Sequence, residues 1–93
     1  MLVDVGTNTE VVLQHQGRIV CASCPAGPAF EGGLIKFGMP AYPGAIDTFA
    51  YDEGEFSFTT IGDVAPVGMC GSGLIDLLAE LRRHDLMTPK GVF

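Results

Sequence analysis

Short apolar runs at the start of the chain are typical of β-strands: Leu2–Val5, which carries one acid at Asp4, and Val11–Leu13. Glycine and polar residues interrupt the apolar residues at Gly6 and at Gln16-Gly17, where we predict turns. Gly17 can take the positive φ that a two-residue hairpin turn needs. We therefore predict an antiparallel three-stranded meander, with strands at Leu2–Val5, Glu10–His15 and Arg18–Ser23.

The spacing of apolar residues becomes helical after the meander. Pro28 suits the first turn of a helix, and apolar residues recur at positions 30, 34 and 37, so we predict a short helix over Pro28–Phe37. Glycines inside a helix cost about 1 kcal/mol each relative to alanine. Gly32-Gly33 therefore indicates either that another backbone or a ligand comes close, or that the helix end is loose.

The second half of the chain predicts a hairpin and a longer helix. Ala45–Tyr51 and Glu55–Ile61 alternate apolar and polar residues around Asp52-Glu53-Gly54, as two paired strands do. Four leucines then recur at i, i+3, i+4 and i+7, the pattern of an amphipathic helix, after a predicted N-cap at Ser72. These leucines are Leu74, Leu77, Leu78 and Leu81.

These elements predict an α/β chain of α+β-like character, with a three-stranded antiparallel meander, a β-hairpin and two helices. The chain has 93 residues, which suits one small domain. We divide it into residues 1–37 with the meander and first helix, residues 38–68 with a loop and hairpin, and residues 69–85 with the amphipathic helix.

Composition and charge exclude several classes of function. Hydrophobic residues make up 47% of the chain, which is too many for a disordered segment. The net charge of −6 disfavours a nucleic-acid partner, because such binding depends on cationic contacts to phosphate. No apolar run approaches the roughly 18 residues of a membrane span. A strand that begins at Leu2 leaves no room for a signal peptide, so we expect a cytoplasmic protein or a piece of a longer one.

The cysteines do not form a convincing metal or redox motif. Cys21 and Cys24 form a CxxC pair, but residues three apart on a strand point to opposite faces of the sheet. A zinc site would need a second pair, and Cys70 is single. We interpret all three as reduced, partly buried structural thiols.

The segment DVGTNTE at the first turn carries the candidate chemistry. Gly6 permits a tight turn, and the amides from Gly6 to Thr9, with the side chains of Thr7, Asn8 and Thr9, can hold phosphate oxygens. Asp4, at the end of the first strand, can reach magnesium directly or through water. An ordinary β-turn favours the same residue types, so the spacing alone leaves both interpretations open.

A family resemblance favours the phosphate interpretation. DVGTNTE resembles the phosphate-binding hairpin of the superfamily of actin, acetate and sugar kinases and heat-shock chaperone ATPases, which has a ribonuclease H-like fold. More closely, four segments in series resemble the C-terminal actin-like domain of the reductive activators of corrinoid-dependent proteins. The segments are DVGTNTEVVL, CPAGPAFEGGLIKFGM, PGAID and GMCGSGLIDLLAEL, and together they span nearly the whole chain.

This resemblance implies ATP and magnesium as cofactors and a corrinoid protein of a methyltransferase system as partner. It implies that Asp4, Gly6, Thr7, Asn8 and Thr9 face phosphate and magnesium. Gly27 would line the same cleft, and Glu31 would hold a metal-bound water, so Asp4 and Glu31 are the candidate catalytic residues.

The resemblance also implies that the chain is one partial domain, the second lobe of a two-lobed ATPase. In the family, a ferredoxin-like domain with an iron–sulfur cluster passes an electron to cobalt(II), and no such cysteine pattern occurs here. We therefore expect the 93 residues alone to be inactive in ATP hydrolysis. Two alternative functions stay open. The chain could be a non-catalytic docking or dimerisation module or, less favoured, part of a sugar-kinase-like phosphotransferase.

Overall fold

The first half of the chain forms the predicted antiparallel meander. The computed structural model describes all 93 residues. The first strand pairs with the second, with Val5 opposite Thr9, and the second pairs with the third, with His15 opposite Arg18. The strands are β1 (Leu2–Val5), which has its predicted bounds, β2 (Asn8–His15), which begins two residues earlier than predicted, and β3 (Arg18–Pro25), which ends two residues later.

The meander has one apolar face and one mixed face. Residues paired across neighbouring strands share a face, so the register places Val3, Val11 and Ala22 together on one side. The opposite side carries Asp4 beside Glu10. Every residue of β1 and β3 is exposed, so the meander contributes no buried core within this chain.

The second half forms another three-stranded sheet, in the order β5-β4-β6. The predicted hairpin is present, and its two strands pair antiparallel. A third strand of only two residues pairs parallel with Ala45 and Ile46, and it was too short for the sequence pattern to reveal. The strands are β4 (Ala45–Asp52), β5 (Glu55–Thr60) and β6 (Gly68–Met69).

One α-helix, α1 (Gly71–Arg83), packs against β4. It begins one residue before the predicted N-cap Ser72, because Cys70 keeps an extended backbone and its amide donates to the carbonyl of Ile46 (3.1 Å). Six residues of the chain are buried, and they cluster where α1, β4 and the following turn meet. They are Gly44, Ala45, Cys70, Gly73, Glu80 and Met87.

The predicted helix over Pro28–Phe37 is wrong. The structure has a single 3-10 turn at Pro28–Glu31, which Gly32 ends with a left-handed backbone (φ 82°). A Cβ on Gly32 would lie 2.5 Å from the backbone nitrogen of Met39, so the glycine permits close contact between two backbone segments. Of the two explanations for Gly32-Gly33, the approach of another backbone is therefore the one observed, and the chain has one α-helix instead of two.

No helix in the structure is long and apolar enough to cross a membrane.

Candidate functional site

The turn between β1 and β2 is fastened to the end of β3 by backbone hydrogen bonds. The amides of Ala26 and Gly27 donate to the carbonyl of Thr7 at 2.9 and 3.0 Å. The amide of Gly6 donates to the carbonyl of Asn8 at 3.1 Å, so this amide is already used within the turn. The candidate phosphate loop is therefore a defined turn that the following segment holds in place.

Glu31 lies beside this turn. The Thr7 hydroxyl donates a hydrogen bond to Oε2 of Glu31. A Cβ on Gly6 would lie 3.7 Å from the other carboxylate oxygen, Oε1. Gly27, with a φ of 84°, lets the chain turn from β3 into Pro28–Glu31. The structure thus brings Gly6, Thr7, Gly27 and Glu31 together, although the positions lie far apart in sequence.

Asp4 lies next to a second carboxylate. It pairs directly with Glu10 across β1 and β2, and Glu10 Oε1 accepts a hydrogen bond from the Ser23 hydroxyl at 2.7 Å. The Asp4 carboxylate is exposed and forms neither a hydrogen bond nor a salt bridge with the protein. Two like charges directly opposite each other are unfavourable, and a cation between them would remove the repulsion.

These residues fit magnesium only as part of a metal–phosphate complex. No group of three histidine, cysteine, aspartate or glutamate residues could hold a metal ion by itself. Magnesium is commonly bound through one or two carboxylates, several waters and the phosphates of a nucleotide. The pair Asp4 and Glu10 supplies that number of carboxylates.

Two further predicted residues have free polar groups. The side-chain amide of Asn8 and the hydroxyl of Thr9 form no hydrogen bond with the protein. Thr9 pairs with Val5 and therefore shares its face of the sheet, whereas Asn8 lies one position away and points to the other face. Both groups are available to an external ligand.

A cavity of about 530 Å³ lies between the meander and the start of α1. Its volume falls in the range of small-molecule sites. Most of its wall is apolar, and its polar groups are the carboxylate of Glu31 and the first turn of α1. The residues around it are Val5, Phe30, Glu31, Met39, Pro40, Ala41, Cys70, Gly71, Ser72 and Ile75.

A glycine fixes the distance between the two sides of this cavity. A Cβ on Gly71 would lie 1.9 Å from the carbonyl oxygen of Phe30, so only glycine fits at this contact. The adjacent Cys70 is 4% exposed, and its Sγ lies 3.3 Å from both the Ile46 carbonyl oxygen and the Ser72 hydroxyl. The CGSG turn, whose role the sequence left undefined, thus brings α1 against Pro28–Glu31.

The other thiols differ from the prediction in one respect. Cys21 and Cys24 are exposed instead of partly buried, and all three cysteines are free. Cys21 pairs with Val12 and Cys24 with Thr9, so the two thiols lie on opposite faces of the sheet as expected. This geometry does not suit a shared metal ion.

Sequence reasoning missed two carboxylates, Asp76 and Glu80, that α1 directs at β4. Their oxygens accept hydrogen bonds from the backbone amides of Phe49 (3.3 Å) and Tyr51 (2.9 Å). The available signal was two acids four residues apart between the leucines of the predicted apolar face. Glu80 is 6% exposed, less than any of those leucines.

Comparison with known proteins identifies the family. Residues 1–93 match the family model described as the C-terminal domain of RACo, the ASKHA domain. The chain belongs to this family of ASKHA domains. A solved structure, the reductive activator for corrinoid,iron-sulfur protein, superposes with a TM-score of 0.80 at 49% identity, over 92% of this chain and 14% of that one. The predicted family and fold class are thereby confirmed.

Two curated relatives of this ASKHA family are also similar. The corrinoid activation enzyme RamQ of Eubacterium limosum is 37% identical over 93 residues, which is 100% of this chain and 16% of that protein. The [Co(II) methylated amine-specific corrinoid protein] reductase of Methanosarcina barkeri is 52% identical over 46 residues, or 50% of this chain and 8% of that protein. The chain thus spans about one-sixth of the length of RamQ, and its match to the reductase covers a smaller share of that protein.

Proposed function

We propose that these residues act within a longer ATP-dependent reductive activator of corrinoid proteins and supply one wall of its nucleotide cleft. Relatives with this ASKHA domain are named as activators or reductases of corrinoid proteins, and each is several times longer than this chain. The electron donor, an iron–sulfur cluster, would belong to another part of the activator. The corrinoid protein is the proposed partner.

The observation that carries the proposal is the contact between the Thr7 hydroxyl and Glu31, whose side chain lines one cavity together with the first turn of α1. Free polar groups of Asn8 and Thr9 supply donors, and Glu31 supplies a carboxylate. A site that positions phosphate and metal in this way can lower the barrier for phosphoryl transfer without forming a covalent bond to protein.

We assign different roles to the pair Asp4 and Glu10 and to the pair Thr7 and Glu31. Asp4 and Glu10 would hold magnesium, which would neutralise the charge of the phosphates. The Thr7 hydroxyl fixes the carboxylate of Glu31, which orients a water molecule next to the phosphates. ATP supplies the free energy that makes reduction of the corrinoid favourable, and the residues of this chain bind and orient it.

The Thr7–Glu31 contact provides a test of this assignment in the full-length activator. Thr7→Val keeps the shape of the side chain but removes the hydroxyl, so Glu31 loses its fixed orientation. We expect ATP-dependent corrinoid reduction to fall about 10–100-fold, as it does when residues that orient metal ligands are lost. Thr7→Ser retains the hydroxyl and should retain most of the activity.

The control variant is Thr88→Val, which removes a hydroxyl from the exposed turn at the other end of the chain. Equal rates for Thr7→Val and wild type, with unchanged magnesium dependence, would contradict the assignment. If these residues formed a docking module without turnover, nucleotide binding would be absent in the wild-type activator as well as in Thr7→Val.

A further inference from the structure

The strand β4 contains a β-bulge at Asp47. Ile46 pairs with Thr60 on β5, and Thr48 already pairs with Thr59, so Asp47 is an extra residue without a partner of its own. A bulge of this kind bends the strand and increases its twist, and bulges are over-represented next to active sites. The bulge therefore determines how the peptide unit at Ile46 is oriented relative to the rest of the hairpin.

A chain of side-chain hydrogen bonds closes this bulge. The Thr59 hydroxyl donates to Oδ1 of Asp47 at 2.6 Å, so its own oxygen accepts the hydroxyl of Thr48, which lies 2.5 Å away. A hydrogen bond to an ionised acceptor is stronger than a neutral one, and consecutive hydrogen bonds strengthen one another. Asp47 thus fastens the extra residue of β4 to the neighbouring strand.

The carbonyl of Ile46, directly before the bulge, receives the start of α1. The Cys70 amide donates to this oxygen at 3.1 Å, and Cys70 Sγ lies 3.3 Å from it. A Cβ on Gly73 would lie 2.4 Å from the same oxygen, so the helix backbone contacts it directly. The carbonyl of Ile46 and the amide of Asp47 belong to one planar peptide unit. Fixing Asp47 therefore fixes the carbonyl on which α1 begins.

The start of α1 is also part of the cavity wall. Residues 70–72 line the cavity together with Glu31, whereas Asp47 and Thr59 do not line it. The connection from the bulge to the cavity is short, because it consists of the Ile46 peptide unit and one hydrogen bond to Cys70.

We propose that Asp47 is a positioning residue of the nucleotide cleft, which acts through the Ile46 carbonyl to hold the first turn of α1 at the cavity wall. Thr59 holds the Asp47 carboxylate and shares this role. Neither side chain touches the bound nucleotide. The inference rests on the proposed function, but the connection from Asp47 to Cys70 is measurable without nucleotide.

Hydrogen exchange in the nucleotide-free, full-length activator tests this connection. Thr59→Val keeps the shape of a β-branched side chain and removes the hydroxyl, whereas Thr59→Ser retains the hydroxyl. In Thr59→Val, the peptide that contains Cys70 should exchange about 2–10-fold faster, as expected for a weakened hydrogen bond. The peptide that contains Tyr51, whose amide donates to Glu80 farther along β4, should keep its wild-type rate. Thr59→Ser should match the wild type in both peptides.

Calorimetric titration of the same variants with magnesium–ATP tests the consequence for the cleft. Thr59→Val and Asp47→Ala should bind about 2–10-fold more weakly than the wild type, and Thr59→Ser should retain the wild-type affinity. Ser57→Ala is the control, because it removes a hydroxyl two residues away on the same exposed strand. This variant should change neither the exchange rates nor the affinity.

The two readouts separate failure of this inference from failure of the proposed function. Unchanged exchange at Cys70 in Thr59→Val, or equal acceleration at Cys70 and Tyr51, would overturn the connection between the bulge and α1. Faster exchange at Cys70 with unchanged affinity would overturn the positioning role and leave the proposed function intact. No magnesium–ATP binding by the wild-type activator would contradict the proposed function, and the positioning role with it. Thr59→Val decides the outcome if Asp47→Ala unfolds.

Discussion

Replacing Gly71 with alanine should destabilise the domain, although helix propensity alone predicts the reverse. Alanine in a helix is favoured over glycine by about 1 kcal/mol. The added Cβ would lie 1.9 Å from the Phe30 carbonyl oxygen. Ordinary contacts of this kind are about 3.4 Å, so α1 and Pro28–Glu31 must separate by roughly 1.5 Å. Overpacking of this kind costs about 1–3 kcal/mol, and the obstacle here is backbone, which adjusts least.

Thermal unfolding of Gly71→Ala measures which of these two effects is larger. A net loss of about 1 kcal/mol corresponds to a midpoint roughly 4–8 °C lower for a domain of this size. Ala79→Ser is the control, since Ala79 is an exposed residue of the same helix. An unchanged or raised midpoint for Gly71→Ala would refute the close contact between α1 and Pro28–Glu31, and with it the shape of the candidate cavity.

Three other expectations follow from the same structure. The hydrogen bond from the Tyr51 amide lowers the folded-state pKa of Glu80 from 4.5, so the ionised Glu80 carboxylate stabilises the fold fully above pH 4.5 and loses this effect as pH falls through the folded-state pKa. The thermal midpoints of wild type and Glu80→Gln should therefore converge in acid. A constant difference between the two midpoints at all pH values would contradict this. The isolated chain should not turn over ATP, since phosphate and metal need contacts from both sides of a cleft; steady-state hydrolysis that Asp4→Asn abolishes would contradict this. Elemental analysis should find well under one zinc or iron per chain, and stoichiometric metal lost in a Cys21→Ser, Cys24→Ser double variant would contradict the interpretation that these thiols bind no metal.

Local sequence patterns predicted the elements whose stability comes from near neighbours. The meander has short apolar runs separated by turn residues such as Gly17, which has the expected positive φ of 76°, and the second hairpin has alternating apolar and polar residues. The candidate site was partly predictable for the same reason, because the phosphate-type turn is a continuous segment. Glu31 was placed next to it only through the family resemblance, since its contact with Thr7 joins residues 24 positions apart.

The errors occurred where tertiary contacts decide the structure. The helical spacing of positions 30, 34 and 37 was misleading, because Gly32 turns left-handed to pack against Met39. Two-residue β6 carries too little pattern to be noticed, and it exists because β4 offers it an edge. The buried side of α1 carries Asp76 and Glu80 because β4 presents amides there, whereas amphipathic spacing alone favoured the leucines.

The proposed function requires Asp4 to hold magnesium against the phosphates of a bound nucleotide. Its carboxylate is exposed, has no partner in the protein and lies opposite Glu10, so its removal should change stability little and could relieve repulsion. The direct measurement is calorimetric titration of the full-length activator with magnesium–ATP, for wild type, Asp4→Ala and the control Asp52→Ala, an exposed acid at the far end of β4. We predict an affinity about 10–100-fold weaker for Asp4→Ala with a near wild-type thermal midpoint, and no change for the control. Unchanged affinity with a collapsed midpoint in Asp4→Ala would show that Asp4 is a structural turn residue and would contradict the account.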